Sequence, residues 1–138
     1  MSDRHEWNRK IIQEFRDNEG KVGGSFDNAP LLVLHTTGRT SGAIRENPMM
    51  YLLEGERIFV FASKAGAPTN PDWFLNLVAT PEVTVELGTE TFAATARPIE
   101  GAERDRIYAI QAERYPGFAE YQSKTDRSIP VVEIIREG

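Results

Sequence analysis

The sequence predicts a mainly β, α+β domain: a barrel of about six mostly antiparallel strands, with three or four helices around it. Apolar or alternating runs recur at 31–37, 44–53, 57–62, 82–87, 91–99 and 129–135. Most are joined by short turns such as Glu54-Gly55-Glu56 and Gly88-Thr89, which favours antiparallel pairing. Helical periodicity is confined to a few segments between the runs.

The elements follow in order. Residues 6–17 place Trp7, Ile11 and Phe15 at i, i+4 and i+8, one helical stripe with charge on the other face. Such a stripe docks on the domain's own core or lies on a membrane surface. Gly20, Gly23 and Gly24 then break the pattern, so residues 1–24 read as a helix plus a flexible joint and 25–138 as the barrel domain. Pro48 falls inside the second strand, which predicts an edge position or a bulge there. Asn70-Pro71-Asp72 reads as an Asx cap, a proline at the first helical position and an acid at the positive helix end, opening a helix over 71–79. Residues 102–114 form a further helix, broken by Pro116-Gly117, with a short helix through Tyr121 after it.

Composition narrows the function. The 138 residues suit one domain, and a net charge of −5 argues against nucleic acid as the main partner. There is no cysteine, which excludes disulfides, thiolate metal sites and cysteine nucleophiles. Two histidines, His5 and His35, are too few for an ordinary histidine metal site. No apolar stretch reaches the roughly 18 residues a membrane span needs. The charged N-terminus is unlike a secretory signal, so the expectation is a cytoplasmic protein, with 6–17 as the segment for any peripheral membrane contact.

Against that acidic background, Gly38-Arg39-Thr40-Ser41-Gly42 is a basic, donor-rich turn between two strands, with Arg45 just beyond it. It suits a phosphorylated ligand; equally, its residue types are those of a solvated hairpin loop. Ser63-Lys64-Ala65-Gly66 after the third strand has the same character, and the helix that follows adds a positive end. Tyr115, Phe118 and Tyr121 form an aromatic group that reads either as a packing face or as phenols able to donate to a developing oxyanion. Trp73 and Met50 suit a core or the flanks of a flat ring. No nucleophile–base pair appears, so any reaction would rest on a bound cofactor.

The motifs G-R-T-S-G (38–42), R-E-N-P (45–48), A-S-K-A-G (62–66), N-P-D-W-F-L-N-L (70–77), T-P-E-V (80–83), Y-P-G-F-A-E-Y-Q (115–122) and T-D-R-S-I-P-V (125–131) occur in that order. Together they resemble the deazaflavin-dependent nitroreductase family, actinobacterial split β-barrel proteins that use coenzyme F420. The resemblance implies a split, flavin mononucleotide-binding-like barrel and hydride transfer from the reduced deazaflavin to a quinone or similar electron-poor acceptor. It implies that Arg39, Thr40, Ser41, Gly42, Arg45 and Lys64 hold the cofactor's phosphate and acidic tail. Asn47 and Pro48 would line the ring's approach, Ser63, Ala65 and Gly66 would offer donors to its edge, and Pro71, Trp73, Phe74 and Asn76 would close the other side. Tyr115, Tyr121 and Ser63 would be the catalytic donors, and Met50 and Phe118 would line the acceptor pocket. Some relatives carry lysine where Thr40 stands, and nitroimidazole-reducing ones carry tyrosine where Met50 and Phe118 stand, so the implied acceptor is a quinone rather than a nitro drug. Two other readings remain: a non-catalytic carrier of F420, haem or a lipid-like ligand, and a flavin mononucleotide oxidase on the same barrel. Split barrels often pair, which makes a homodimer a further expectation.

Overall fold

The computed structural model describes residues 3–18, 30–67 and 69–137, with side chains from Asn8 onward apart from Ala65. The glycine joint at 20–24, the boundary at 24/25 and the Trp7 side chain lie outside the described residues.

Six strands, β1 (Leu31–Thr37), β2 (Ile44–Glu54), β3 (Arg57–Phe61), β4 (Glu82–Leu87), β5 (Glu90–Ile99) and β6 (Val131–Arg136), close a barrel in the order β1-β2-β3-β6-β5-β4. Every pairing is antiparallel, as the short turns predict. Alternation sorts the side chains. Leu32, Leu34, Val60, Val83, Val85, Val132 and Ile134 fill the barrel, while Phe59, Phe61 and Val131 point outward into a second core. That second core is covered by α3 (Gly101–Arg114) and α4 (Gly117–Ser123) through Ile107, Tyr108 and Phe118. Gln111 of α3 is fully buried and neither amide atom has a partner among the described residues, an unsatisfied polar group that costs stability.

Pro48 is not at a bulge: it pairs with Val33 in an unbroken β1–β2 register. The edge expectation holds locally. Residues 44–50 of β2 pair with β1, whereas β3 pairs only with 51–54, so Pro48 loses no ladder bond on its open side. The last strand starts at Val131 rather than Ile129, because Gln122 and Arg104 take the Ile129 N–H and carbonyl.

Helix α1 (Asp3–Asp17) docks on the barrel exterior. Its buried residues are Ile12 and Phe15, against Leu31 and Val33; Ile11 is only half-buried, so the expected stripe is turned by one residue. Arg16 clamps the helix to Glu86 (2.6 and 2.9 Å) and Glu46 (3.2 Å). The guanidinium hydrogen bonds hold the Glu86 carboxyl below the usual carboxylate range. His35, inside the first apolar run, is half-buried on the same outer face, with Nε2 2.6 Å from Glu86 Oε2. Ile12 and Phe15 of α1 are thus spent on the barrel. Among the described residues, no helix is long and apolar enough to cross a membrane.

Helix α2 (Asp72–Ala79) plugs one barrel end, inserting Leu77 into the barrel core with Trp73 and Phe74 beside it. Asn70 does not cap it. Pro71 holds the cap position without a side-chain bond, and the Asn70 side chain accepts from Arg127 instead (2.8 Å).

Candidate functional site

Both donor-rich segments reach the start of α2. The first is a tight turn: the Gly38 N–H donates to the Ala43 carbonyl (2.7 Å) and the Gly42 N–H to the Gly38 carbonyl (2.8 Å). Gly42 has φ +75°, the left-handed region that glycine enters without cost. Ser41 Oγ accepts from the Ala43 N–H (3.1 Å), so this hydroxyl shapes the turn and still has its proton to donate to a ligand.

Asn76 bolts the turn to α2. It is buried, its Oδ1 accepts from the Arg39 N–H (3.1 Å) and Arg39 Nη1 (2.8 Å), and its Nδ2 donates to Thr36 Oγ1 (3.4 Å). Arg39 also reaches Asp72 Oδ1 (3.3 Å). The sequence reading gave Asn76 and Arg39 directly to the cofactor; the structure engages both in holding the loop against the helix. Thr40, Ser41, Gly42 and Arg45 are exposed, and Arg45 makes no ion pair among the described residues.

The second segment is more unusual. Ser63 is right-handed (φ −73°, ψ −39°) and Lys64 is the one described non-glycine residue at positive φ (+47°). A right-handed residue followed by a left-handed one aims successive amides into one concavity, a backbone nest for negative charge. A left-handed lysine is strained, and such strain persists where the surroundings over-determine it. Lys64 Nζ donates to Thr69 Oγ1 (3.1 Å). Gly66, at φ +81°, is pressed on α4: an added Cβ would stand 2.8 Å from the Tyr121 carbonyl oxygen and 3.1 Å from its Cα.

Strand alternation divides the predicted residues. Arg45, Asn47 and Met49 pair with Thr36, Leu34 and Leu32 and share the barrel-interior face that α2 covers, with Trp73 and Phe74. Pro48 and Met50 pair with Val33 and Leu31 and face outward, where Met50 packs in the cluster that also takes Tyr115 and Tyr121. Asn47 and Pro48 therefore do not line one surface. The open side of β2 separates the basic face of Arg45 from an aromatic face, and the Ser63–Gly66 turn touches the second through Tyr121.

Within the aromatic half the roles diverge. Phe118 is buried and edge-on to Phe61 (5.6 Å between ring centres) and Tyr108 (6.4 Å), so for it the packing reading holds and it is a wall of the core. Tyr108 is spent on the Phe118 carbonyl (2.6 Å), and burial pushes its phenol up to about 12. Tyr115 and Tyr121 are half-exposed, and their hydroxyls have no hydrogen-bond partner among the described residues. Pro71 is buried against the barrel end. A groove of about 390 Å³ lies between His35, Ile44, Glu82 and Thr84, and no arginine or lysine among the described residues lines it.

Arg39, Arg45, Lys64, the Ser63 and Lys64 amides and the flat side chains of Trp73 and Phe74 are groups of the kind that an aromatic ring with an anionic tether requires. A model of the F420H(2)-dependent quinone reductase family matches residues 7–135. The chain belongs to that family. It is 36% identical over 126 residues to an F420H(2)-dependent quinone reductase of Mycobacterium tuberculosis, covering 88% of this chain and 85% of the relative. A solved F420-H2-dependent reductase is 42% identical, with a TM-score of 0.69 over 76% of this chain and 93% of that one. A solved domain-swapped dimer is 37% identical, with a TM-score of 0.71, covering 96% and 97% of the two chains. The protein is thus an F420-dependent oxidoreductase on a split β-barrel, as the ordered motifs led one to expect. Its cofactor is coenzyme F420.

One residue to which the sequence reading gave no role stands out. Arg127 donates to the carbonyls of Ala62 (3.1 Å), Ser63 (2.8 Å) and Ala67 (2.9 Å), and so sits beneath the whole second segment. The only signal was its place inside the T-D-R-S-I-P-V motif; no spacing links residue 127 to residue 63.

Proposed function

We propose that this protein reduces quinone-like acceptors, with the cofactor's anionic tether in the basic half of the site and the acceptor against the aromatic half. The observation that carries this reading is the open side of β2: exposed Arg45 lies on the face that α2 covers, Met50 lies on the opposite face with Tyr115 and Tyr121, and the Ser63–Gly66 turn is pressed on α4 beside Tyr121. When bound, the reduced deazaflavin supplies a hydride from its C5 carbon.

The chain's own residues bind, orient and donate. Arg45, Lys64 and Arg39 offer fixed positive charge to phosphate and carboxylate groups. The Ser63 and Lys64 amides face the electron-rich edge of the ring. Trp73 and Phe74 shield one side from water. Tyr121, with its hydroxyl unspent, donates to the acceptor oxygen on which charge develops. Tyr121→Phe is therefore expected to lower kcat about tenfold or more while F420 affinity stays level. Equal losses in both would move Tyr121 into the cofactor site.

Calorimetric titration with F420 beside flavin mononucleotide, followed by steady oxidation of reduced F420 by menadione, tests the function. Tight F420 binding with turnover supports it; binding without turnover makes the protein a carrier, and preference for flavin mononucleotide makes it an oxidase of the other cofactor. We extend the proposal to a homodimer, on the strength of the domain-swapped relative. Light scattering of the pure protein should read twice the 15.5 kDa chain mass, and a monomer at all concentrations would remove this element.

A further inference from the structure

We propose that Arg127 is the positioning residue of the cofactor loop: by drawing the loop's carbonyls inward it turns the Ser63 and Lys64 amides outward, towards the ring of F420. The inference rests on the F420 assignment and deepens it.

The geometry follows from peptide planarity. In a trans peptide the C=O of one residue and the N–H of the next point in opposite directions. Arg127 Nη1 takes the Ala62 carbonyl and Nη2 the Ser63 carbonyl, at 3.1 and 2.8 Å. The amides on the far side of those two peptide planes are those of Ser63 and Lys64. These two residues carry the right-handed and left-handed dihedrals of the nest, and neither amide has a partner among the described residues. Nε and Nη1 hold the far end of the loop, at the Ala67 carbonyl (2.9 Å) and Asn70 Oδ1 (2.8 Å). One planar fork thus fixes both ends of the segment and over-determines the strained lysine between them.

The charge is a second observation. All four acceptors are neutral, and no carboxylate pairs with Arg127 among the described residues. Arg16, Arg57 and Arg106 all have carboxylate partners. Arg127 is half-buried, and burial pushes its pKa down from the usual arginine range. An unpaired cation at such a place is costly if its task is only to pin a loop. Behind a nest of amides, the same charge adds to the potential that receives an electron-rich ligand.

Arg104 provides the control. It donates to the Ile129 carbonyl (3.0 and 2.8 Å) and to Gln122 Oε1 (2.7 Å), so it pins a neighbouring segment without touching the nest. F420 affinity by calorimetry and Tm are measured for the parent, Arg127→Gln, Arg127→Lys, Arg127→Ala and Arg104→Gln. Arg127→Gln is expected to lose about tenfold or more in affinity. Arg127→Lys should stay weakened because an ammonium cannot make the four-way fork, and it serves alone if Arg127→Gln does not fold. Millimolar guanidinium should restore binding to Arg127→Ala. Arg104→Gln should lose Tm and keep its affinity. Parent-like affinity in Arg127→Gln or Arg127→Lys overturns the inference, as does an equal affinity loss in Arg104→Gln or failure of guanidinium to rescue. A parent that does not bind F420 overturns the functional reading, and this one with it.

Discussion

Gly66→Ala is expected to lower stability by about 3 kcal/mol and to weaken F420 binding even in the fraction that remains folded. Two separate costs add. At φ +81° a residue with a Cβ pays backbone strain. The new carbon would also stand 2.8 Å from the Tyr121 carbonyl oxygen and 3.0 Å from Lys124 Cβ. The Tyr121 carbonyl cannot swing aside, since it accepts the Lys124 N–H (3.2 Å) that closes α4. The loop must therefore lift off the helix, which moves the Ser63 and Ala67 carbonyls away from their Arg127 partner. Gly88→Ala is the matched control. It has a similar φ (+64°) but nothing within 4 Å of an added Cβ, so it pays the strain alone. Chemical denaturation of both variants separates the two costs. If Gly66→Ala costs no more than Gly88→Ala, the close packing of loop on helix carries no energy.

This contact shows where the sequence was readable and where it was not. The strands were legible because period-2 alternation and turn residues are local properties. Val83, Val85 and Leu87 announce a strand regardless of what lies opposite. The basic turn at 38–42 was legible for the same reason. What was hidden is long-range. Asn70 carries every local mark of a helix cap, yet Arg127, 57 residues away, claims its side chain. Asn76 looks like an ordinary residue on an amphipathic helix, and only the packing of α2 against β1 makes it the anchor of the Arg39 turn. Phe118 reads equally as wall or pocket until Phe61 and Tyr108 close around it. The resemblance puts Asn47 and Pro48 together at the ring's approach, but successive strand residues face opposite sides. The family motifs supplied the cofactor; they did not supply the division of labour within the site.

That division decides how the basic residues should respond to removal. Arg39→Ala combined with Lys64→Ala is expected to weaken F420 binding by about 1.5 kcal/mol per lost charged hydrogen bond, roughly a hundredfold for the pair. The lower end of the usual range applies because Arg39 is partly exposed and shares its charge with Asp72. The fold should survive. Asn76 Oδ1 still receives the backbone N–H of residue 39, so the turn stays bolted to α2 after the side chain is cut. Arg45→Ala is the cleaner companion. It has no protein partner among the described residues, so any affinity it loses belongs to the ligand rather than to a disturbed loop. All three losses should shrink as salt rises, because the Debye length falls from about 10 Å at 0.1 M to about 3 Å at 1 M. A loss that ignores salt would mean these residues act through the shape of the loop and not through their charge. Affinity left intact in the double variant and in Arg45→Ala together would take the anionic tether out of this half of the site.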